Sequence, residues 1–332
     1  MKRERVLAAL RHQATDIVPF NTEPALEMTE KLCAYLGIGA DDVFNWTDNH
    51  IEKFNTKEPD TQCAPGFFRD EYGVVWNRTV DKDIGMPEPV LAEPDLSGWQ
   101  PPAVDLGMLN SRLEAFVHNG RDSFKFAKID FALFERAWSL RGFENLLTDF
   151  LLEPDFVHEL LERITERNLR IIEAAVRHDI DGFYFGDDYG QQTGMLFSPN
   201  TWREFIKPQL KRMFGAVKAA GKVTCLHSCG NIWPILGDLA DIGLDGYQTV
   251  QPELYDLAAL KKEYGSVLCF YGGISTQRDL PSCSPDEIKR IVHETIAVLG
   301  KGGGYIAAPT HRVPADVPPE NLAAMVDAFK NQ

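Results

Sequence analysis

The chain has 332 residues, 44% of them hydrophobic and 25% charged, with a formal net charge of −15 at pH 7. That composition supplies ample apolar material for a core, while the acidic surplus works against binding nucleic acid or anionic lipid. No stretch reads as a membrane span, and the six cysteines at 33, 63, 225, 229, 269 and 283 lack the paired framework of a small secreted domain. A reducing cytoplasm is the expected compartment.

The opening run from Met1 to His12 sets basic residues before a short apolar patch. Charge returns at Arg11 and no small-residue cleavage site follows, so the run reads as an amphipathic helix, an N-terminal helical extension of the mature protein. A first strand is expected at Ile17–Asn21, followed by Thr22 and Glu23. Residues 60–105 are rich in proline and break the pattern. Within them Phe67–Asn77 reads as a hairpin around Tyr72 and Gly73, an insertion expected to pack over the mouth of the fold.

From about residue 120 short apolar runs alternate with helical stretches, as in a parallel sheet covered by helices. Strands are predicted at Phe124–Ile129, Asp181–Gly186, Lys222–His227, Leu244–Thr249, Val267–Tyr271 and Gly304–Ala308. Helices are predicted near 154–178, 202–220, 231–242, 256–264 and 285–300. About seven or eight strands favour a closed (β/α)8 TIM barrel over an open sheet, here a single α/β domain over residues 1–332. Gly302, Gly303 and Gly304 precede a strand instead of opening a helix, and read as a turn.

One strand ends in chemistry. Val223 to Leu226 runs directly into His227, Ser228, Cys229 and Gly230, and residues two apart in extended backbone share a face. An imidazole and a thiolate so placed can converge on one ion, with the ligand softness zinc prefers. In a barrel the residues after each strand form one rim, so the pair can be read with Glu23, Asp187, Asp188, Tyr189, Gln251, Glu253 and His311. Catalytic zinc commonly takes three protein ligands, which His227, Cys229 and His311 would supply. Cys225 shares the face of His227 and Cys229 but lies one pleat deeper, and reads as a core thiol.

Glu23, Asp187, Asp188 and Glu253 are candidates for a labile fourth ligand or for partners that orient the histidines; each is as readily an ordinary solvated carboxylate. Glu23, Gln251 and Glu253 are also the expected substrate contacts. The other histidines, at 12, 50, 118, 158, 178 and 293, read as surface or packing residues.

Several segments together resemble the uroporphyrinogen decarboxylase superfamily and, within it, its corrinoid-dependent methyltransferases. They are Arg3–Leu10, Asp70–Asn77, Gly186–Gly190 with Phe197–Pro199, His227–Gly230, Tyr271–Ser275 and Val313–Asn321. The resemblance implies a (β/α)8 barrel and a zinc held by the His-x-Cys pair and a later cysteine. At the place of that cysteine this chain reads Ala308, Pro309, Thr310, His311, Arg312, so a neutral imidazole replaces a thiolate. Zinc would then keep a net positive charge, acidifying a bound thiol more strongly but leaving its thiolate less nucleophilic.

The decarboxylases of the superfamily carry an arginine-rich segment after the first strand. Here Phe20–Leu26 has no arginine and includes Glu23, which argues against a many-carboxylate substrate. The implied function is zinc-dependent methyl transfer between a corrinoid (methylcobalamin), on a separate carrier protein, and a small thiol or other weak acid. Asp187, Asp188 and Tyr189 would orient that substrate. The alternatives are a metal-free lyase using Asp187 or Asp188, and a non-catalytic module that binds a corrinoid protein or a metal.

Overall fold

Runs such as Gly182–Gly186 and Cys269–Ile274 carry no charge and are buried along their whole length, as strands covered on both faces must be. The computed structural model describes every residue except 81 and 83. Its main sheet has seven parallel strands in chain order: β1 (Ile51–Asn55), β2 (Phe124–Ile129), β3 (Gly182–Gly186), β4 (Val223–His227), β5 (Gly246–Val250), β6 (Cys269–Ile274) and β7 (Tyr305–Pro309). The sheet is curled, and amphipathic helices cover its outside. The helix Pro154–Ala175 buries Phe156, Val157, Leu160, Leu161, Ile164, Ile171 and Ile172, a stripe at helical spacing. The helix Pro285–Leu299 is started by a capping box, in which Ser284 and Glu287 satisfy each other's backbone N–H.

The first helix, Lys2–Leu10, lies at the N-terminal edge of the strands. Its Arg3 pairs with Asp179 and Asp181, just before β3, and its Val6, Ala9 and Leu10 pack on Phe124, Phe126, Tyr184 and Cys225 inside the curl. Cys225 is a buried core thiol, as its deeper place in the strand predicts.

The expected strand at Ile17–Asn21 is reduced to a single bridge, Phe20 to Ala307 of β7. Pro19 has no N–H, and the Phe20 N–H is directed at the Nδ1 of His50 at 3.3 Å instead of at a backbone carbonyl, so the ladder cannot lengthen. The segment nonetheless touches both edges of the sheet. Asn21 donates to the Ala307 carbonyl at 3.0 Å, and His50, just before β1, donates to the Phe20 carbonyl at 3.1 Å.

Within residues 60–105 the chain forms a four-stranded antiparallel sheet from Thr61–Ala64, Phe67–Arg69, Val75–Asn77 and Met86–Glu88. The expected hairpin is its centre, turning at Gly73 with φ +86°. Asp70 holds this turn and anchors it. Its carboxylate accepts from the Tyr72 and Val74 N–H groups, from Trp76 Nε1 at 3.0 Å and from Arg136 Nη1 at 2.6 Å, all buried. No helix among the described residues is long and apolar enough to cross a membrane.

Removing one partner of a buried ion pair strands the other charge. Asp70→Ala should therefore lower unfolding stability by about 3–5 kcal/mol. Denaturant unfolding checks this, and an unchanged midpoint would mean that Arg136 finds another partner.

Candidate metal centre and cavity

Parallel register decides which residues meet at the C-terminal ends of the strands. His227 is level with Gly186 of β3 and Gln248 of β5, so its ring stands beside a position with no side chain on one side and an amide on the other. After Cys229 the chain reverses at Gly230, whose φ is +80° and where a Cβ would lie 2.1 Å from the Gly190 carbonyl carbon. Only glycine fits that turn. His311 enters from the loop after β7.

The structure brings the three predicted ligands together. One ligand atom from each of His227, Cys229 and His311 lies within 4.8 Å of the others; His227 Nε2 is 3.4 Å from Cys229 Sγ. Ligand atoms around a tetrahedral zinc are about 3.3–3.6 Å apart, so the set has the chemistry and nearly the spacing of a zinc site. Burial, then the charges of Asp188 and Glu135, push the Cys229 thiol up, so a thiolate at that position calls for a cation beside it.

His227 and His311 line a cavity of about 480 Å³, together with Glu23, Asp188 and Gln248. Asp188 Oδ1 accepts the Cys229 N–H at 2.7 Å and sits 3.5 Å from His227 Nε2. Glu23 is bound by Lys53 at 2.7 Å and by the Asn21 side-chain amide at 2.9 Å. Burial would raise its carboxyl, but Lys53, Lys128 and Arg312 outweigh that and hold it down at about 2.

The remaining predicted site residues lie behind this surface. Asp187 is fully buried; its carboxylate accepts the N–H groups of Phe134 at 2.9 Å and Glu135 at 2.8 Å, and the Tyr189 hydroxyl at 2.6 Å. It thus serves the start of the helix Phe134–Arg141, and burial raises it to about 6. Tyr189 is buried with it. Gln251 accepts the Gly230 N–H at 2.7 Å, and Glu253 accepts the Ser275 hydroxyl. None of these four lines the cavity.

Other cavity residues went unread in the sequence: Lys53, Lys128, Glu135, Gln248 and, from the insertion, Trp76 and Arg78. Lys128 shares strand parity with Phe124 and Phe126, which was a usable signal. Cations do face the cavity, though they come from β1, β2, the insertion, two helices and the loop after β7 and not from the segment after Phe20. Burial, then Asp188, Asp187 and Asp130, raise the Glu135 carboxyl well above the usual range.

The profile of the uroporphyrinogen decarboxylase (URO-D) family matches residues 131–332, more than half of the chain. The chain belongs to the uroporphyrinogen decarboxylase family. Its relatives include a methylcobamide:CoM methyltransferase of Methanosarcina barkeri, 31% identical over 176 residues, which are 53% of this chain and 49% of that protein. A uroporphyrinogen decarboxylase of Chlorobaculum parvum is 26% identical over 200 residues, 58% of this chain and 54% of the relative. This family member therefore spans about half the length of the curated relatives it matches. Its fold is similar to that of a methyltransferase from Methanosarcina mazei, with a TM-score of 0.77 at 21% identity over 99% of this chain and 98% of the other.

Asp187→Ala would leave two helix N–H groups and a buried hydroxyl without their acceptor. A stability loss of about 1–3 kcal/mol is expected, read by thermal or denaturant unfolding. Wild-type stability in that variant would show that Asp187 does not hold the helix.

Proposed function

We propose that this protein is a zinc-dependent methyltransferase, moving a methyl group between a corrinoid (methylcobalamin) on a separate carrier protein and a small thiol or other weak acid. The observation that carries this reading is the convergence of His227, Cys229 and His311 at the edge of a cavity. Kinship with methylcobamide:CoM methyltransferases supports the chemistry.

His227, Cys229 and His311 hold the metal in this reading. Bound zinc supplies Lewis acidity, lowering the pKa of a thiol at its open position so that a nucleophile exists at neutral pH. Asp188 fixes the Cys229 backbone, while Glu23, held ionised by Lys53, presents a charged contact to the substrate. Asp187 and Tyr189 act by holding the loop after β3 against the helix Phe134–Arg141, and Gln251 and Glu253 by shaping the loops beside the metal. Trp76 and Arg78 wall the cavity from the insertion side and limit water there. We read the fold as a (β/α)8 barrel whose eighth position is Pro19–Asn21, because that segment bonds to both sheet edges. The whole chain, residues 1–332, is then one domain of a cytoplasmic enzyme of one-carbon metabolism.

Elemental analysis should find about one zinc per chain, lost when His227, Cys229 or His311 is changed to alanine. Methyl transfer from methylcobalamin to a thiol should stop on chelation and return with added zinc. Activity that survives chelation would favour the metal-free lyase, and a folded protein that takes up no zinc from excess metal would contradict the reading.

A further inference from the structure

His227 has two ring nitrogens, and the structure gives them different partners. Nε2 faces Cys229 Sγ at 3.4 Å and Asp188 Oδ1 at 3.5 Å, whereas Nδ1 meets the side-chain amide oxygen of Gln248. Two further contacts fix which end of that amide points at the ring. The Tyr184 hydroxyl donates to the same oxygen at 2.7 Å, and the amide nitrogen donates to the Thr310 carbonyl at 3.4 Å. A carbonyl only accepts, so the nitrogen belongs on the Thr310 side and the oxygen on the His227 side.

An amide oxygen also only accepts. Nδ1 of His227 must therefore carry the proton, which leaves the Nε2 lone pair directed toward Cys229. Gln248 is almost wholly buried at the wall of the cavity, with both ends of its amide engaged by protein groups. Its two ends reach two different parts of the candidate centre: the oxygen touches the imidazole that ends β4, and the nitrogen touches the residue before His311.

We propose that Gln248 is a positioning residue of the metal centre, setting the tautomer and ring angle of His227 and tying β4 to the segment that carries His311. The inference rests on the metal reading above. It gives a specific reason for a neutral acceptor at this position. A carboxylate there would draw the Nδ1 proton and make the ring a stronger donor, whereas an amide leaves it a plain neutral imidazole and leaves the ion its positive charge.

The test compares wild type, Gln248→Met and Gln248→Glu by chelator competition for zinc and by the absorption spectrum of the cobalt(II)-substituted protein. Gln248→Met removes the acceptor at similar volume and is expected to weaken zinc binding by about 10–100-fold. Gln248→Glu keeps an acceptor and should retain zinc, with the cobalt d–d bands displaced by the added charge. A Tyr184→Phe control loses a hydrogen bond to the same oxygen without touching Nδ1, and should lower stability while sparing zinc affinity. Wild-type zinc affinity in folded Gln248→Met would overturn the inference. So would unshifted cobalt bands in Gln248→Glu, which applies even if the methionine variant fails to fold. Failure of wild type itself to bind zinc would overturn the metal reading, and this inference with it.

Discussion

Parallel pairing of β4 with its two neighbours is the constraint on which the site depends. Because all seven strands run the same way, their C-terminal ends, and the loops that follow, open on one side of the sheet. Because His227 is level with Gly186 and Gln248, its ring has room on one flank and a hydrogen-bond acceptor on the other. A slip of one residue in β4 would turn His227 outward into the helix layer and bring Leu226 into the curl. The Lys2–Leu10 helix guards against that by filling the opposite end with Val6, Ala9 and Leu10 packed on Phe126 and Cys225.

Buried charge pairs recur through the fold, some of them beside this site. Asp70 with Arg136, and Glu71 with Arg167 at 2.7 Å, fasten the insertion to the helices beside it. Glu52 and Lys125 pair at 3.1 Å between β1 and β2, and Lys53 pairs with Glu23 at the cavity. Such pairs add little net stability over apolar packing, but an unpaired member is costly, so they specify which surfaces meet. The cavity is thereby left with fixed charges of both signs and walls that cannot easily rearrange.

The sequence was most legible where one physical demand dominated. Strands β3 to β7 carry no acidic residue, lysine or arginine because both faces are covered, and β2 to β7 were each expected within a few residues of where they lie; His227, Cys229 and His311 could be grouped because ligand type and rim position agreed, and the structure brings them together. Strand β1 was missed because Ile51–Asn55 carries Glu52 and Lys53, whose burial is made tolerable by partners distant in sequence, Lys125 and Glu23. Ile17–Asn21 looked like a strand from its apolar residues, but Pro19 and the His50 side chain take it out of the ladder. Asp187 and Tyr189 were read as facing a substrate because they end a strand; which of two adjacent carboxylates faces the cavity and which supports a helix is settled only by the position of the Phe134–Arg141 helix. Gln248 gave no signal of its own, since its role comes from register with a residue 21 positions earlier.

The chemistry proposed for the cavity requires one thiolate and two imidazoles to share an ion. X-ray absorption at the zinc edge of the metal-loaded protein measures this directly. In the absence of any added thiol, the predicted spectrum has a single sulfur at about 2.3 Å and two imidazole nitrogens at about 2.0–2.1 Å, with any further scatterer a light atom. Two or more sulfurs, or none, would contradict the ligand set and with it the chemistry assigned to this cavity.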